Sequence, residues 1–130
     1  MATILIVEDD SAMLETIKDI LEMGGYHCDS AENTTDALDL LMKNDYDAIV
    51  SDIGLPERFG RMSNMEYGFE FMRSVKGSRR LAHIPIIAET GYSEDEIWDK
   101  AKSAGVSVVI LKTKILDDLV PTLVSLGIKA

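Results

Sequence analysis

Four short apolar runs in this sequence lead directly into groups that can do chemistry. Thr3–Val7 is followed at once by Glu8, Asp9 and Asp10, and residues 48–51 by Asp52; residues 84–89 lead into Thr90, and residues 106–111 into Lys112. Neighbouring strands lie about 4.8 Å apart, so side chains at the ends of the first and third runs can reach a common point. Carboxylates gathered there repel one another, at about 4 kcal/mol for two charges about 4 Å apart and an effective dielectric of about 20. A hard divalent cation relieves that repulsion. Ligands that are all oxygen and few in number point to Mg²⁺ carrying several waters and a phosphate, rather than to zinc or a calcium cage. No His or Cys stands close enough in sequence to these run ends to build a soft-metal site. With the cation present, one carboxylate can attack phosphorus in line and become an acyl phosphate. Mg²⁺ and Lys112 would balance the charge on the transferred group, the Thr90 hydroxyl would hydrogen-bond it, and Gly91 leaves room for a donor.

The elements that bring these ends together can be read from periodicity. Thr3–Val7 is β-branched and apolar throughout, as a strand covered on both faces reads. Ser11–Met23 carries Met13, Leu14, Ile17, Ile20 and Leu21 at helical offsets, and Gly24-Gly25 ends it. Residues 26–31 form a second, more polar strand suited to a sheet edge. A helix capped by Asn33 or Thr34 then buries Ala37, Leu38, Leu41 and Met42. Residues 48–51 are the third strand. Residues 57–66 lack any period, and the helical pattern resumes from Tyr67 to about Gly77. Residues 84–89 form the fourth strand, with Pro85 tolerable at its start. Ser93 and Glu96 predict a capping box for a helix burying Ile97, Ala101 and Ala104. Residues 106–111 form the fifth strand. A last helix over residues 118–126 accommodates Pro121 only in its first turn. Five strands alternating with five helices give a parallel sheet covered on both faces, and the polar second strand favours the flavodoxin-like order 2-1-3-4-5.

Composition narrows the function class. At 130 residues and 46% hydrophobic content, the chain is expected to be one domain spanning residues 1–130 with a core of its own. A net charge of −10 argues against direct binding to nucleic acid or to an anionic membrane. No apolar stretch is long enough to cross a bilayer, and no export signal precedes the first strand, so a cytoplasmic location is expected. The single cysteine, Cys28, reads as a small half-buried strand residue. His27 and His83 read as a strand-edge and a loop residue, while Trp98 fits either the core or a docking face.

At this point the sequence resembles the receiver domains of two-component response regulators, over nearly its whole length. Ile4-Leu5-Ile6-Val7-Glu8-Asp9-Asp10 looks like the family's opening acidic pair, and Asp52 with Pro56 like its phosphoacceptor motif. Glu89-Thr90-Gly91 and Leu111-Lys112 match its hydroxyl and lysine positions in order and spacing. The resemblance implies that Asp52 accepts a phosphoryl group from a histidine kinase's phosphohistidine. It implies Mg²⁺ held by Asp9, by Glu8 in support, by Asp52 and by the main-chain carbonyl of Gly54. Thr90 and Lys112 would serve the transferred phosphoryl group. The partners would be a sensor histidine kinase or phosphotransfer protein and a downstream protein, with the domain a monomer or a weak phosphorylation-dependent dimer. Such a module assists its own phosphorylation and hydrolysis but turns over no external substrate. Asp10 matches no ligand position and is expected at the N-terminus of the first helix.

The chain departs from the family pattern in four places. Thr113 follows the lysine where proline is usual, and Val109 takes the place of the aromatic switch residue. Gly60 stands four residues after Pro56, where the family has a glycine, yet the matching helical pattern restarts only near Gly68. An insertion beside the site follows, its Arg58, Arg61, Met62 and Met65 reading as a solvated loop or a partner contact. The fifth helix is expected to close the domain, with no effector domain after it. Val109 and Thr113 motivate a second reading, a phosphorylation-independent docking module on the same fold. A metal-dependent nucleic-acid enzyme of the Toprim kind would need Asp-x-Asp, where this chain has Asp52-Ile53-Gly54. Flavodoxin itself would need Ser, Thr and Gly in its anion-binding loop, where this chain has acids.

Overall fold

Strict alternation of strand and helix orders the computed structural model, which describes residues 1–130. β1 (Thr3–Val7), α1 (Ser11–Met23), β2 (His27–Ala31), α2 (Thr34–Lys43) and β3 (Ala48–Asp52) come first. They are followed by α3 (Met65–Gly77), β4 (Ile86–Thr90), α4 (Asp95–Ser103), β5 (Val108–Leu111), a 3₁₀ turn (Lys112–Lys114) and α5 (Ile115–Ser125). The strands form one parallel sheet in the order β2-β1-β3-β4-β5, the flavodoxin-like arrangement. The polar strand β2 lies at the edge, where its exposed His27 and Ser30 meet water.

Side-chain parity along the strands divides the core in two. Leu5, Val7, Ile49, Ile86, Ala88 and Val109 pack on one face with residues of α2, α3 and α4. Ile4, Ile6, Ala48, Val50, Ile87 and Ile110 pack on the other, beneath α1 and α5. Each strand therefore buries both faces, which is why its sequence reads as an unbroken apolar run. No helix is long and apolar enough to cross a membrane.

Several local expectations change. α3 begins at Met65, two residues before the apolar pattern resumes, because Asn64 caps it by accepting the Glu66 amide at 2.7 Å. α4 lacks the predicted capping box. Its cap is Glu94, which makes no side-chain cap bond, and Asp95 and Glu96 instead face the positive end of the helix dipole. The preceding loop is held elsewhere, by the Tyr92 amide on Thr90 Oγ1 and the Trp98 indole on the Tyr92 carbonyl. Trp98 is thus half-buried against the core.

α5 starts at Ile115, which puts Pro121 inside the helix rather than in its first turn. An interior proline costs about 3 kcal/mol. The helix persists because Ile115, Leu119 and Leu123 are buried on its inner face, each contributing about 1.5–3 kcal/mol. Packing overrides the local penalty.

Candidate functional site

Parity also builds the site. Glu8 continues the alternation Ile4, Ile6; Asp52 continues Ala48, Val50; Glu89 continues Ile87; and Lys112 continues Ile110. All four extend the α1/α5 face of the sheet by one step beyond its apolar layer. Register brings them level, since Asp52 lies opposite Glu89 and Val7 opposite Ser51. Oxygens of Glu8, Asp52 and Glu89 consequently lie within 4.8 Å of one another.

Lys112 reaches into this group from the end of β5. Its ammonium donates to Asp52 Oδ2 at 3.1 Å and lies 3.5 Å from Glu8 Oε1 and 3.8 Å from Glu89 Oε2. The side chains of Glu8 and Glu89 are fully buried, and that of Asp52 nearly so. Glu8 Oε2 accepts the Asp10 amide and Asp52 Oδ1 the Gly54 amide, both at 3.3 Å. Apart from a proton held between the acids themselves, Glu8 Oε1 and both Glu89 oxygens have no hydrogen-bond partner.

These surroundings set the protonation states. Burial raises the Asp52 carboxyl to about 7, helped by the Glu8 charge and opposed by Lys112. Burial also drives Glu89 far above the ordinary carboxylate range, with hydrogen bonding to Glu8 and the Asp52 charge adding to it. Glu8 is buried too, but hydrogen bonds with Glu89 and Asp52 and the charge of Lys112 outweigh burial and hold it below its usual value. Burial lowers Lys112, but Glu89, Asp52 and Glu8 together push it above its ordinary value.

The other residues singled out in the sequence lie around this centre. Asp9 is exposed and accepts a hydrogen bond from Ser63 Oγ at 2.5 Å, with Ser63 supplied by the segment between β3 and α3. Gly54 is half-buried just past β3. Thr90 is buried opposite Leu111, and its Oγ1 accepts the Tyr92 amide at 3.1 Å. Asp10 caps α1, accepting the Ala12 amide at 3.0 Å. Val109 lies buried in the core, and Thr113 is exposed in the 3₁₀ turn after Lys112.

Glu89 is the residue that reading strand ends alone misses. As the member of Glu89-Thr90 that precedes the end of β4, it reads as strand interior. The signal was its parity with Ile87 and its register with Asp52.

Gly68 allows α3 to close under the site. A Cβ there would fall 1.7 Å from the Ile53 carbonyl oxygen, so the first turn of α3 rests directly on the residue after Asp52. Gly60 has φ +83° in the inserted loop, with nothing within 4 Å of an added Cβ. Close approach to the site is thus the property of Gly68. The segment between them is pinned by an antiparallel bridge between Leu55 and Asn64. It is also pinned by the Pro56 and Glu57 carbonyls, which accept the Thr34 and Thr35 amides at 3.1 and 3.0 Å. Two free amides at the start of α2 are satisfied that way.

The family model of the response regulator receiver domain matches residues 4–123. The chain belongs to that family. It is 30% identical over 110 residues to the polar-differentiation response regulator DivK of Brucella anthropi, covering 85% of this chain and 83% of that one. The fold is similar to the chemotaxis response regulator CheY4 of Vibrio cholerae, with a TM-score of 0.84, 26% identity, and coverage of 96% and 98% of the two chains. A signal receiver domain of a histidine kinase from Syntrophus aciditrophicus is 31% identical with a TM-score of 0.78, covering 99% and 93%. A receiver domain is a signalling module of two-component systems rather than a substrate-turnover enzyme. Its acidic cluster suits a hard divalent cation, since the donors are all oxygen and three buried oxygens await a partner.

Proposed function

We propose that Asp52 accepts a phosphoryl group from the phosphohistidine of a sensor histidine kinase or phosphotransfer protein, and that the modified domain signals through protein contacts. The supporting observation is the hydrogen bond of 3.1 Å from Lys112 to Asp52 Oδ2 at the carboxyl edge of the sheet. That bond leaves Oδ1, held only by the Gly54 amide at 3.3 Å, as the nucleophile. Oδ1 attacks phosphorus in line. The new oxygen–phosphorus bond forms as the phosphorus–nitrogen bond breaks, and its electron pair stays on the donor imidazole. Lys112 follows the developing charge onto the phosphoryl oxygens. Glu8, Asp9, Asp52 and the Gly54 carbonyl would hold Mg²⁺, which supplies charge neutralisation for the transferred group.

Thr90 carries the event outward. Drawn towards the phosphoryl group, its hydroxyl gives up the Tyr92 amide, whose own carbonyl accepts the Trp98 indole at 2.8 Å. α4 and the loop before it thereby register the charge added at Asp52. Because Val109 is buried in the core, Trp98 takes over the reporting role that an aromatic residue on β5 would have had. The cytoplasm, where histidine kinases present their phosphohistidines, is the compartment this reading requires.

The reading is tested by incubating the protein with Mg²⁺ and acetyl phosphate. The expected product carries one hydroxylamine-labile phosphate and shows altered Trp98 fluorescence. If Asp52→Asn protein gains the same phosphate, Asp52 is not the acceptor. If neither protein gains one, the phosphorylation reading fails.

A further inference from the structure

We infer that Glu89 is a direct ligand arm for the divalent cation of this domain, in addition to the acidic residues that the family resemblance implies. This rests on the receiver reading above. The starting point is an imbalance of partners. Glu89 is fully buried and neither of its carboxylate oxygens accepts a hydrogen bond, while Glu8 Oε1 beside it is equally unpartnered. A buried carboxyl group that no donor of the surrounding protein reaches either keeps a proton or meets a cation, and a metal ion can take the proton's place.

Lys112 does not fill that need. Its ammonium hydrogen-bonds Asp52 at 3.1 Å, lies 3.5 Å from Glu8 Oε1 and stands 3.8 Å from Glu89 Oε2. One positive charge is also too little for Glu8, Asp52 and Glu89 ionised together, as they become once a cation displaces the proton on Glu89. A divalent ion placed against their mutually close oxygens supplies the remainder.

Backbone placement makes Glu89 a fixed arm rather than an opportunistic one. It sits in β4 directly opposite Asp52, between the central strand and β5, on the same face of the sheet. A carboxylate held there takes a coordination position that water would otherwise occupy. Mg²⁺ usually keeps several waters and one or two carboxylates, so the extra arm tightens binding and strips the ion further.

Calorimetric titration of Mg²⁺ into the phosphate-free protein tests this, alongside Glu89→Gln and Glu89→Met variants checked by circular dichroism. Glutamine keeps the shape and hydrogen-bonding capacity of a neutral acid, so a purely structural Glu89 leaves affinity unchanged in that variant. The expected result is about a tenfold or greater loss of Mg²⁺ affinity in both variants. Mn²⁺ gives an independent readout, since water-proton relaxation should report an additional exchangeable water on the ion bound to Glu89→Gln. Affinity in Glu89→Gln equal to that of the unaltered protein overturns the inference while leaving the receiver reading intact. Absence of cation binding by the unaltered protein overturns both.

Discussion

Two adjoining parts of the carboxyl edge are built by opposite means. In the cluster of Glu8, Asp52, Glu89 and Lys112, strand register fixes the side chains, and each is surrounded by the others. In the segment from Glu57 to Asn64, main-chain groups do the anchoring, through the Pro56 and Glu57 carbonyls and the Leu55–Asn64 pair. Phe59 and Met62 there stand 87% exposed. A side chain in the first region is constrained on every side. One in the second projects into water, so its identity is free to vary while the backbone stays put. The contrast predicts that equivalent substitutions cost far more on one side of the boundary than on the other.

The two glycines make the widest test. Gly68→Ala forces a methyl against the Ile53 carbonyl oxygen, and α3 must move off the site to accept it. More than about 3 kcal/mol of stability should be lost, beyond the usual range for overpacking because the clash is with backbone. Gly60→Ala meets no atom and pays only for its positive φ, about 1 kcal/mol. Urea denaturation of the two variants measures the difference, and equal losses would erase the boundary.

Removing the ammonium comes next. Lys112→Met leaves Glu8 and Asp52 without their common counter-charge, at a cost of about 3 kcal/mol near neutral pH without added cation. Saturating Mg²⁺ should restore part of it, because both cations answer the same carboxylates. A thermal melt unaffected by the substitution would show that the acids are held neutral without the lysine.

The cluster should also make stability depend on pH in an unusual direction. Asp52 and Glu89 have raised pKa values, so the folded protein keeps protons that the unfolded chain releases. Stability contributed by these groups is present at low pH and falls as pH rises from the ordinary carboxylate range through about 7 for Asp52, and further for Glu89. Glu8 acts the opposite way, with its contribution lost only as pH falls below its ordinary value. Each retained proton gives a slope of about 1.4 kcal/mol per pH unit. Denaturation of cation-free protein between pH 5 and about 7 should show this fall, and Glu89→Gln should flatten it. A rise in stability over that interval would mean that Lys112 dominates the group.

What could be read from the sequence follows the same division. Strand order, the covering of both sheet faces by helices, and the places of Asp52, Glu8 and Lys112 follow from an apolar period that the folded sheet obeys, since β1, β3, β4 and β5 are buried on both faces. Glu89 precedes the end of β4 and so reads as strand interior, although period-two parity aligns it with Ile87 on the face that carries Asp52. Pro121 stands inside α5 rather than in its first turn because burial of Leu119 and Leu123 outweighs a local rule. The missing capping box at Ser93 has a similar cause, in which contacts of Tyr92 with Thr90 and Trp98 shape the loop before α4. The inserted segment was legible only as a lack of pattern. Its carbonyls, not its side chains, make the anchoring contacts with α2, and carbonyls leave no trace in residue type.

One side chain crosses the boundary between the two regions, and it gives the finest test. Ser63 Oγ donates to Asp9 Oδ2 at 2.5 Å, and both residues are exposed. An exposed bond of this kind contributes about 1 kcal/mol or less, so Ser63→Ala should barely change the global melt. Local opening is the more sensitive measure, because the segment carries Arg58 and Arg61 on its exposed stretch. Trypsin cleavage there should quicken several-fold in Ser63→Ala. If Asp9 turns from Ser63 to the cation, Mg²⁺ should quicken cleavage of the unaltered protein and leave the variant unchanged, so that the two rates converge. Rates that are equal without Mg²⁺ would mean that the main-chain anchors alone hold the segment, and that the charged cluster and the insertion are independent neighbours.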